Sequence, residues 1–357
     1  MYKSKLWLSM LLTVLMALSL GLSACGDNTS TSPAATPIVA STTAPATTTT
    51  PAASATTAST TTTTGAVSPT TAQGPTITAG AKPKVIVSSK NFTEAIILGE
   101  MYAAALENAG IPVERKLNLG TVQITQAAIV RGDISLYPEY TGTALLSVLK
   151  LPKDSNDPKV VYDKVAAEYP KQFKLAVLDP GLFNNTNAIV VSKAAADKYN
   201  LRTLSDLSPV AKELRLAAVA TFTGTRSETD GLKSLQKTYG GFDFKEVKLF
   251  DLGLKYEALK TGQVDAAQAF STDGEISGYG FVLLEDDKKN FPPYQVVPII
   301  REDILAAYPN IKPVLNAIAP HLSAEKMTAL NWSVDGPEKM EPVDAAKNFL
   351  KKEGLIK

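Results

Sequence analysis

Residues 132–142 read GDISLYPEYTG and residues 262–274 read GQVDAAQAFSTDG. In each stretch a glycine closes a helical pattern, an aspartate and a short apolar run follow, and an aromatic, Tyr140 or Phe270, stands eight positions after the glycine. Helix-capping residue types come next, Thr141-Gly142-Thr143 in one case and Ser271-Thr272-Asp273-Gly274 in the other. In open α/β sheets ligands bind at the carboxyl ends of strands, where helix N-termini direct their unpaired N–H groups. A chain that builds this corner twice is expected to have two lobes, each presenting an aromatic face and hydroxyls to a shared cleft. Taken alone, the spacing also suits two ordinary core aromatics, so the flanking pattern has to decide.

Working outward, strands and helices alternate on both sides. KVIVSS (84–89) is a buried-strand run, Thr93 to Ala109 places Ile96, Ile97, Met101, Ala104, Ala105 and Leu106 at helical spacing, and Gly110 stops that helix. VERKLNLG (113–120), a helix from Thr121 to Arg131 and a strand at ISLY (134–137) complete a β-α-β-α-β start. The theme returns with strands at 188–191, 214–219, 245–251 and 264–270 and helical segments at 203–207, 232–239 and 255–260. FVLLEDD (281–287) and VVPII (296–300) read as further strands, and the chain from Pro313 onward as helical, with Pro342 opening the last helix. Two α/β lobes joined by two crossings, near 185–188 and 290–295, fit this order better than one sheet. The boundaries so read are 83–186 and 291–357 for lobe I and 187–290 for lobe II.

The start of the chain addresses the compartment. Lys3 and Lys5 precede an apolar run from Leu6 to Leu20, and Leu22-Ser23-Ala24-Cys25-Gly26 follows, the order of an export signal (1–25) ending in a lipobox. An ordinary signal peptide could leave the same thiol, but Cys25 is the only cysteine and stands where the lipid acceptor belongs. With one cysteine the folded part has no disulfide to rely on. Residues 26–82 are almost entirely Thr, Ala, Ser and Pro with Asp27 and Lys82 as the only charges, a composition expected to form an extended, disordered tether. With 36 Lys+Arg against 35 Asp+Glu, nothing in the charge balance points to a polyanionic partner such as nucleic acid, and none is expected, and no second apolar run is long enough to span a membrane.

Motifs for catalysis do not assemble. Lys260-Thr261-Gly262 with Ser147-Val148-Leu149-Lys150 or Ser234-Leu235-Gln236-Lys237 echoes serine β-lactamases, but the KTG sits at a helix end and no S-D-N intervenes. His321 is the sole histidine, with no cysteine or second histidine to join it on a metal, and Glu94 reads as a first-turn helix carboxylate rather than a general base. No enzyme, metal or cofactor is expected.

SKNFTEAIILGEMYAAALENAG (89–110) and YPEYTGTALL (137–146), with STDG (271–274), LLEDDKKNFPPYQ (283–295) and VDAAKNFLKKEGLI (343–356), closely resemble the substrate-binding proteins of osmoprotectant ABC importers. Those proteins take up glycine betaine, choline and related quaternary ammonium compounds, and the resemblance spans residues 84–357. It implies a type II periplasmic-binding-protein fold with the ligand between the lobes. It also implies an aromatic cage for the trimethylammonium at Tyr140, Asn187, Phe270 and Tyr294, where Phe270 has lost a hydroxyl and Asn187 stands in place of a tyrosine. The carboxylate end is expected at Lys90, Thr143 and an arginine. The usual arginine position, two residues before Asp230-Gly231, is Glu228 here, so Arg226 is the nearest substitute.

Independently of the resemblance, a quaternary ammonium has no N–H and a diffuse charge, so aromatic faces suit it, each worth roughly 0.5–2 kcal/mol when desolvated. A carboxylate calls for Arg or Lys and a hydroxyl. The expected protein is thus a monomeric, lipid-anchored binding component on the outer face of the cytoplasmic membrane, serving an ABC permease and its ATPase. Asn187 and Phe270 leave room for another solute such as carnitine, an ergothioneine-like betaine or an amino acid. A sensor or adhesin on a Thr-rich stalk is the alternative of a different class.

Overall fold

The computed structural model describes residues 82–357; Cys25 and the Thr-rich stretch up to residue 81 lie outside the described residues. Ten strands fall into two five-stranded sheets. The first holds β1 (Val85–Lys90), β2 (Val113–Gly120), β3 (Leu136–Tyr140), β4 (Leu175–Val177) and β10 (Val296–Arg301). The second holds β5 (Asn187–Val191), β6 (Arg215–Ala218), β7 (Glu246–Leu249), β8 (Ala266–Phe270) and β9 (Val282–Leu283). Their orders, β2-β1-β3-β10-β4 and β7-β6-β8-β5-β9, are the same arrangement made twice. In each, three strands run parallel, and a fourth contributed from a crossing lies antiparallel beside the third.

The duplicated corners occupy equivalent places in this arrangement. β3 and β8 are the central strands, and Gly132 and Gly262 precede them with φ of 87° and 72°. A left-handed turn is what lets a helix end and the chain re-enter the sheet, and only glycine adopts it without strain. Tyr140 and Phe270 are the last residues of their strands. The first strand starts at Leu136, two residues later than ISLY suggests, because Ser135 turns its side chain to the sheet and accepts from the Ile86 N–H.

Further along, only Val282–Leu283 of FVLLEDD is a strand. Asp286 instead folds back to accept from the N–H groups of Asn290 and Phe291, and Asp287 receives Ser205, so these acids close a turn. The sequence reading has nothing over the helix Pro158–Phe173, which starts on an Asp157 cap with proline in its first turn and buries only a narrow Val161, Val165, Tyr169 face.

The helix Thr93–Asn108 anchors the first unit, burying Ile97, Leu98, Met101 and Leu106 against β1, each worth about 1.5–3 kcal/mol by area removed from water. The closing helices Ala324–Asp335 and Pro342–Lys352 return across it. The first of these also touches the second unit, where Trp332 fits a notch lined by glycine: a Cβ on Gly274, Gly278 or Gly336 would come within 2.4–2.8 Å of it. The two crossings run antiparallel, joined by the Asn184–Gln295 bridge and by the Asn185 N–H donating to the Tyr294 carbonyl at 3.1 Å.

Candidate ligand-binding site

A cavity of about 900 Å³ opens between the sheets, and the seven residues singled out from sequence, Lys90, Tyr140, Thr143, Asn187, Arg226, Phe270 and Tyr294, all line it. They converge because the strand ends of both sheets point into the same space: Lys90 ends β1, Tyr140 ends β3, Phe270 ends β8, and Asn187 opens β5 directly opposite Phe270 in the ladder. Tyr294 comes from the second crossing, where Asn184 receives its backbone N–H at 2.6 Å.

The aromatic wall has a member that sequence reasoning overlooked. Phe92, the residue before the helix Thr93–Asn108, stands between the two corners, its ring centroid 5.9 Å from that of Tyr140 and 6.5 Å from that of Phe270. The corners therefore meet through Phe92. The signal was in NFTE: a large apolar residue at a helix cap, next to a strand end, has no reason to be there unless a cavity or a neighbouring side chain takes it up.

The buried and half-buried charged groups lining the cavity are already partnered. The Lys90 ammonium makes a short ion pair with Glu139 and lies 4.6 Å from the Tyr140 ring centroid. Burial pulls its pKa down, and Glu139 opposes that pull. Arg226 holds Asp230 with both Nε, at 2.9 Å, and Nη2, and Nη2 also donates to the Tyr294 hydroxyl at 3.2 Å. Burial works against the Arg226 charge but Tyr294 and Asp230 outweigh it, so its pKa is raised. Asp230 in turn receives the Tyr294 hydroxyl and, at 3.3 Å, the Asn187 amide. Asn187 also accepts from Gln268 at 3.4 Å, so it is one of several polar groups meeting at Asp230. Asp230 was not anticipated from sequence; its place two residues beyond Glu228 was read only as a marker for the arginine.

Behind the Phe270 corner, Lys255 is 1% exposed, with its ammonium 5.3 Å from the Phe270 ring centroid and 3.4 Å from Asp273. Behind the Tyr140 corner, the phenol donates to Glu94 at 2.6 Å, and burial first, then the Glu94 charge, push the Tyr140 pKa well up. Aromatic faces with paired cations among them can hold a small onium group and a small anion together. His321 lies apart from the cavity, its ring 2.7 Å from Glu353.

Comparison with known proteins gives the family and the fold. Residues 83–352 match the family described as the substrate binding domain of ABC-type glycine betaine transport systems. The chain is 34% identical over 273 residues to the ergothioneine transport permease/ergothioneine binding protein EgtU of Helicobacter pylori, a match covering 76% of this chain and 48% of that protein. It therefore spans about half the length of that relative. It is also 34% identical over 274 residues to the carnitine transport binding protein OpuCC of Listeria monocytogenes, covering 76% of this chain and 87% of that one. Among solved structures, a glycine betaine/carnitine/choline ABC transporter protein superposes with a TM-score of 0.66 at 33% identity, over 76% of this chain and 99% of the other.

Proposed function

The chain belongs to the substrate-binding domains of ABC-type glycine betaine transport systems, and from that premise we propose that its own ligand is a zwitterion bearing a trimethylammonium group, held between lobe I (83–186 and 291–357) and lobe II (187–290). It has the two-lobed type II periplasmic-binding-protein fold and is the substrate-binding component of an ABC-type transporter. The observation that carries the ligand reading is the run of aromatic rings Tyr140, Phe92 and Phe270 along one cavity with Tyr294 also lining it. The onium group lies on these faces. The carboxylate meets Lys90, Thr143 and the guanidinium edge of Arg226 that Asp230 leaves open.

Closure of the lobes around the ligand, delivery to a permease with its ATPase, monomeric action, lipidation at Cys25 and a place on the outer face of the membrane complete the proposal. The test is a thermal-shift and calorimetric panel of glycine betaine, carnitine, choline, ergothioneine and amino acids. A ligand at 100 times its Kd should add about 2.7 kcal/mol to stability. Amino-acid binding with no response to any trimethylammonium compound would overturn it. Cys25→Ala should release the protein from the membrane fraction with binding intact.

One observation favours the larger members of this class. The cavity, at about 900 Å³, exceeds what glycine betaine alone needs, and Asn187 lends it a polar side. An ergothioneine-like or carnitine-like betaine brings a polar group that can meet Asn187, and tighter binding of either than of glycine betaine is the expected order.

A further inference from the structure

Glu94 stands in the first turn of the helix Thr93–Asn108 and is 3% exposed. Four side chains from four other parts of the chain donate to it. Tyr140 Oη, at 2.6 Å, and Asn185 Nδ2, at 2.8 Å, reach Oε1, while Thr272 Oγ1, at 2.6 Å, and Asn331 Nδ2, at 3.0 Å, reach Oε2. All four are neutral. A protonated carboxyl carries a hydrogen that must find an acceptor, whereas an ionised one only accepts; two donors on each oxygen match the ionised form. Burial raises the Glu94 pKa overall, and the four hydrogen bonds offset part of that rise.

The cations at or behind the cavity are each paired: Lys90 with Glu139, Arg226 with Asp230, Lys255 with Asp273. Among the described residues no cation pairs with Glu94 in this way. Glu94 is therefore a buried carboxylate without a salt bridge directly behind the Tyr140 ring, whereas Asp251, the acid in the lining itself that is unpaired among the described residues, is exposed. Glu94 does not itself line the cavity.

We infer that Glu94 is the counter-charge for the ligand's quaternary ammonium, acting through the Tyr140 ring. The inference rests on the trimethylammonium reading above. A phenol that donates to a carboxylate gains electron density in its ring, and the fixed negative charge behind that ring adds its own attraction where water cannot screen it. Phe270 has no hydroxyl through which a carboxylate could act in this way. The onium group is accordingly drawn to the Phe92–Tyr140 side of the cavity, and Lys90, which lies 5.7 and 4.6 Å from the same two rings and is answered by Glu139, takes the anionic end beside it. Glu94 is a positioning residue whose contribution is a charge rather than a contact.

The test compares two ligands that differ in one atom: glycine betaine and 3,3-dimethylbutanoate, in which a neutral carbon replaces the ammonium nitrogen. Glu94→Gln keeps the shape and removes the charge. The variant should bind glycine betaine at least tenfold more weakly and 3,3-dimethylbutanoate no more weakly than before, so that the ratio of the two affinities falls at least tenfold. Tyr140→Phe, which keeps the ring but loses the link, should shift the same ratio about threefold in the same direction, and it carries the test should Glu94→Gln not fold. Equal losses for both ligands would reduce Glu94 to a structural support and overturn the inference, as would no loss for either. Carnitine and choline are measured alongside: Glu94→Gln must weaken whichever of the three onium ligands the wild type binds. A wild type that binds none of them overturns the functional reading and the counter-charge with it, whereas wild-type binding that survives Glu94→Gln overturns only the counter-charge.

Discussion

At the end of β3 a buried lysine lies 4.6 Å from the ring of Tyr140 and pairs with Glu139; at the end of β8 another lies 5.3 Å from the ring of Phe270 and pairs with Asp273. Each corner sets an aromatic at the same topological position with a lysine–carboxylate pair beside it, although the pairs come from different elements: Lys90 ends β1 and Glu139 lies in β3, while Lys255 is on the helix Leu254–Lys260 and Asp273 follows β8. A second divergence lies one atom further out. Tyr140 has a hydroxyl that reaches Glu94, while in the other corner Asp273 receives the Phe270 N–H at 3.0 Å and the hydroxyl of Tyr256. Duplicated architecture can thus set the shape of a cleft on both sides while a single hydroxyl decides on which side a cation is favoured.

The largest effect should come from removing the carboxylate of each pair. Glu139→Ala and Asp273→Ala each leave a buried ammonium unanswered, and each should destabilise the protein by about 3–5 kcal/mol in urea titrations. Agreement between the two losses would support the equivalence of the corners. A loss below about 1 kcal/mol at Asp273 alone would break it, because Lys255 would then be satisfied elsewhere.

A second prediction concerns a group that only one corner has. The short helix after Phe270, Gly274–Gly278, contains Glu275, whereas Thr141–Thr143 after Tyr140 has no acid. Burial, with help from the Asp273 and Asp335 charges and against Lys255, pushes Glu275 from 4.5 up to about 7. The folded state then holds this proton over a range where the unfolded chain has released it. The stability it contributes is therefore full below about pH 4.5 and is lost as pH rises toward 7, by roughly 3 kcal/mol. Glu275→Gln should flatten that part of the profile in denaturation curves taken from pH 4.5 to 8, and an unchanged slope would assign it to another group.

The smallest effect tests the turns. Gly262→Ala meets no atom within 4 Å, so only the left-handed backbone opposes it, at about 1 kcal/mol and 2–4 °C in Tm. Gly132→Ala meets Arg301 at 3.2 Å as well and should lose slightly more. Calorimetric scans that leave either variant unshifted would mean that its turn can be rebuilt without glycine.

What could be read from the sequence follows the distance over which each feature is determined. The corners were legible because a glycine, a strand and a cap are local, and the seven cavity residues because motifs marked their positions. Phe92 was missed since its role depends on two rings lying 48 and 178 residues further along. Asp230 and Glu94 were visible as residues but not as partners, because nothing local says that Tyr294 will reach one and Asn331 the other. The helix Pro158–Phe173 escaped because its lysines, glutamate and proline mask a three-residue apolar face.

The partners of Glu94 lie 46, 91, 178 and 237 residues away along the chain. A buried carboxylate with donors so widely scattered cannot be satisfied by any early, local step of folding, for each contact closes a longer loop than the one before. The charge must stay hydrated until Asn331 arrives, almost at the end of the polypeptide. A chain emerging N-terminus first would thus acquire its first sheet with that glutamate still in water, and would dehydrate it only when the closing helices swing back, so that binding competence and completion of the fold coincide in time.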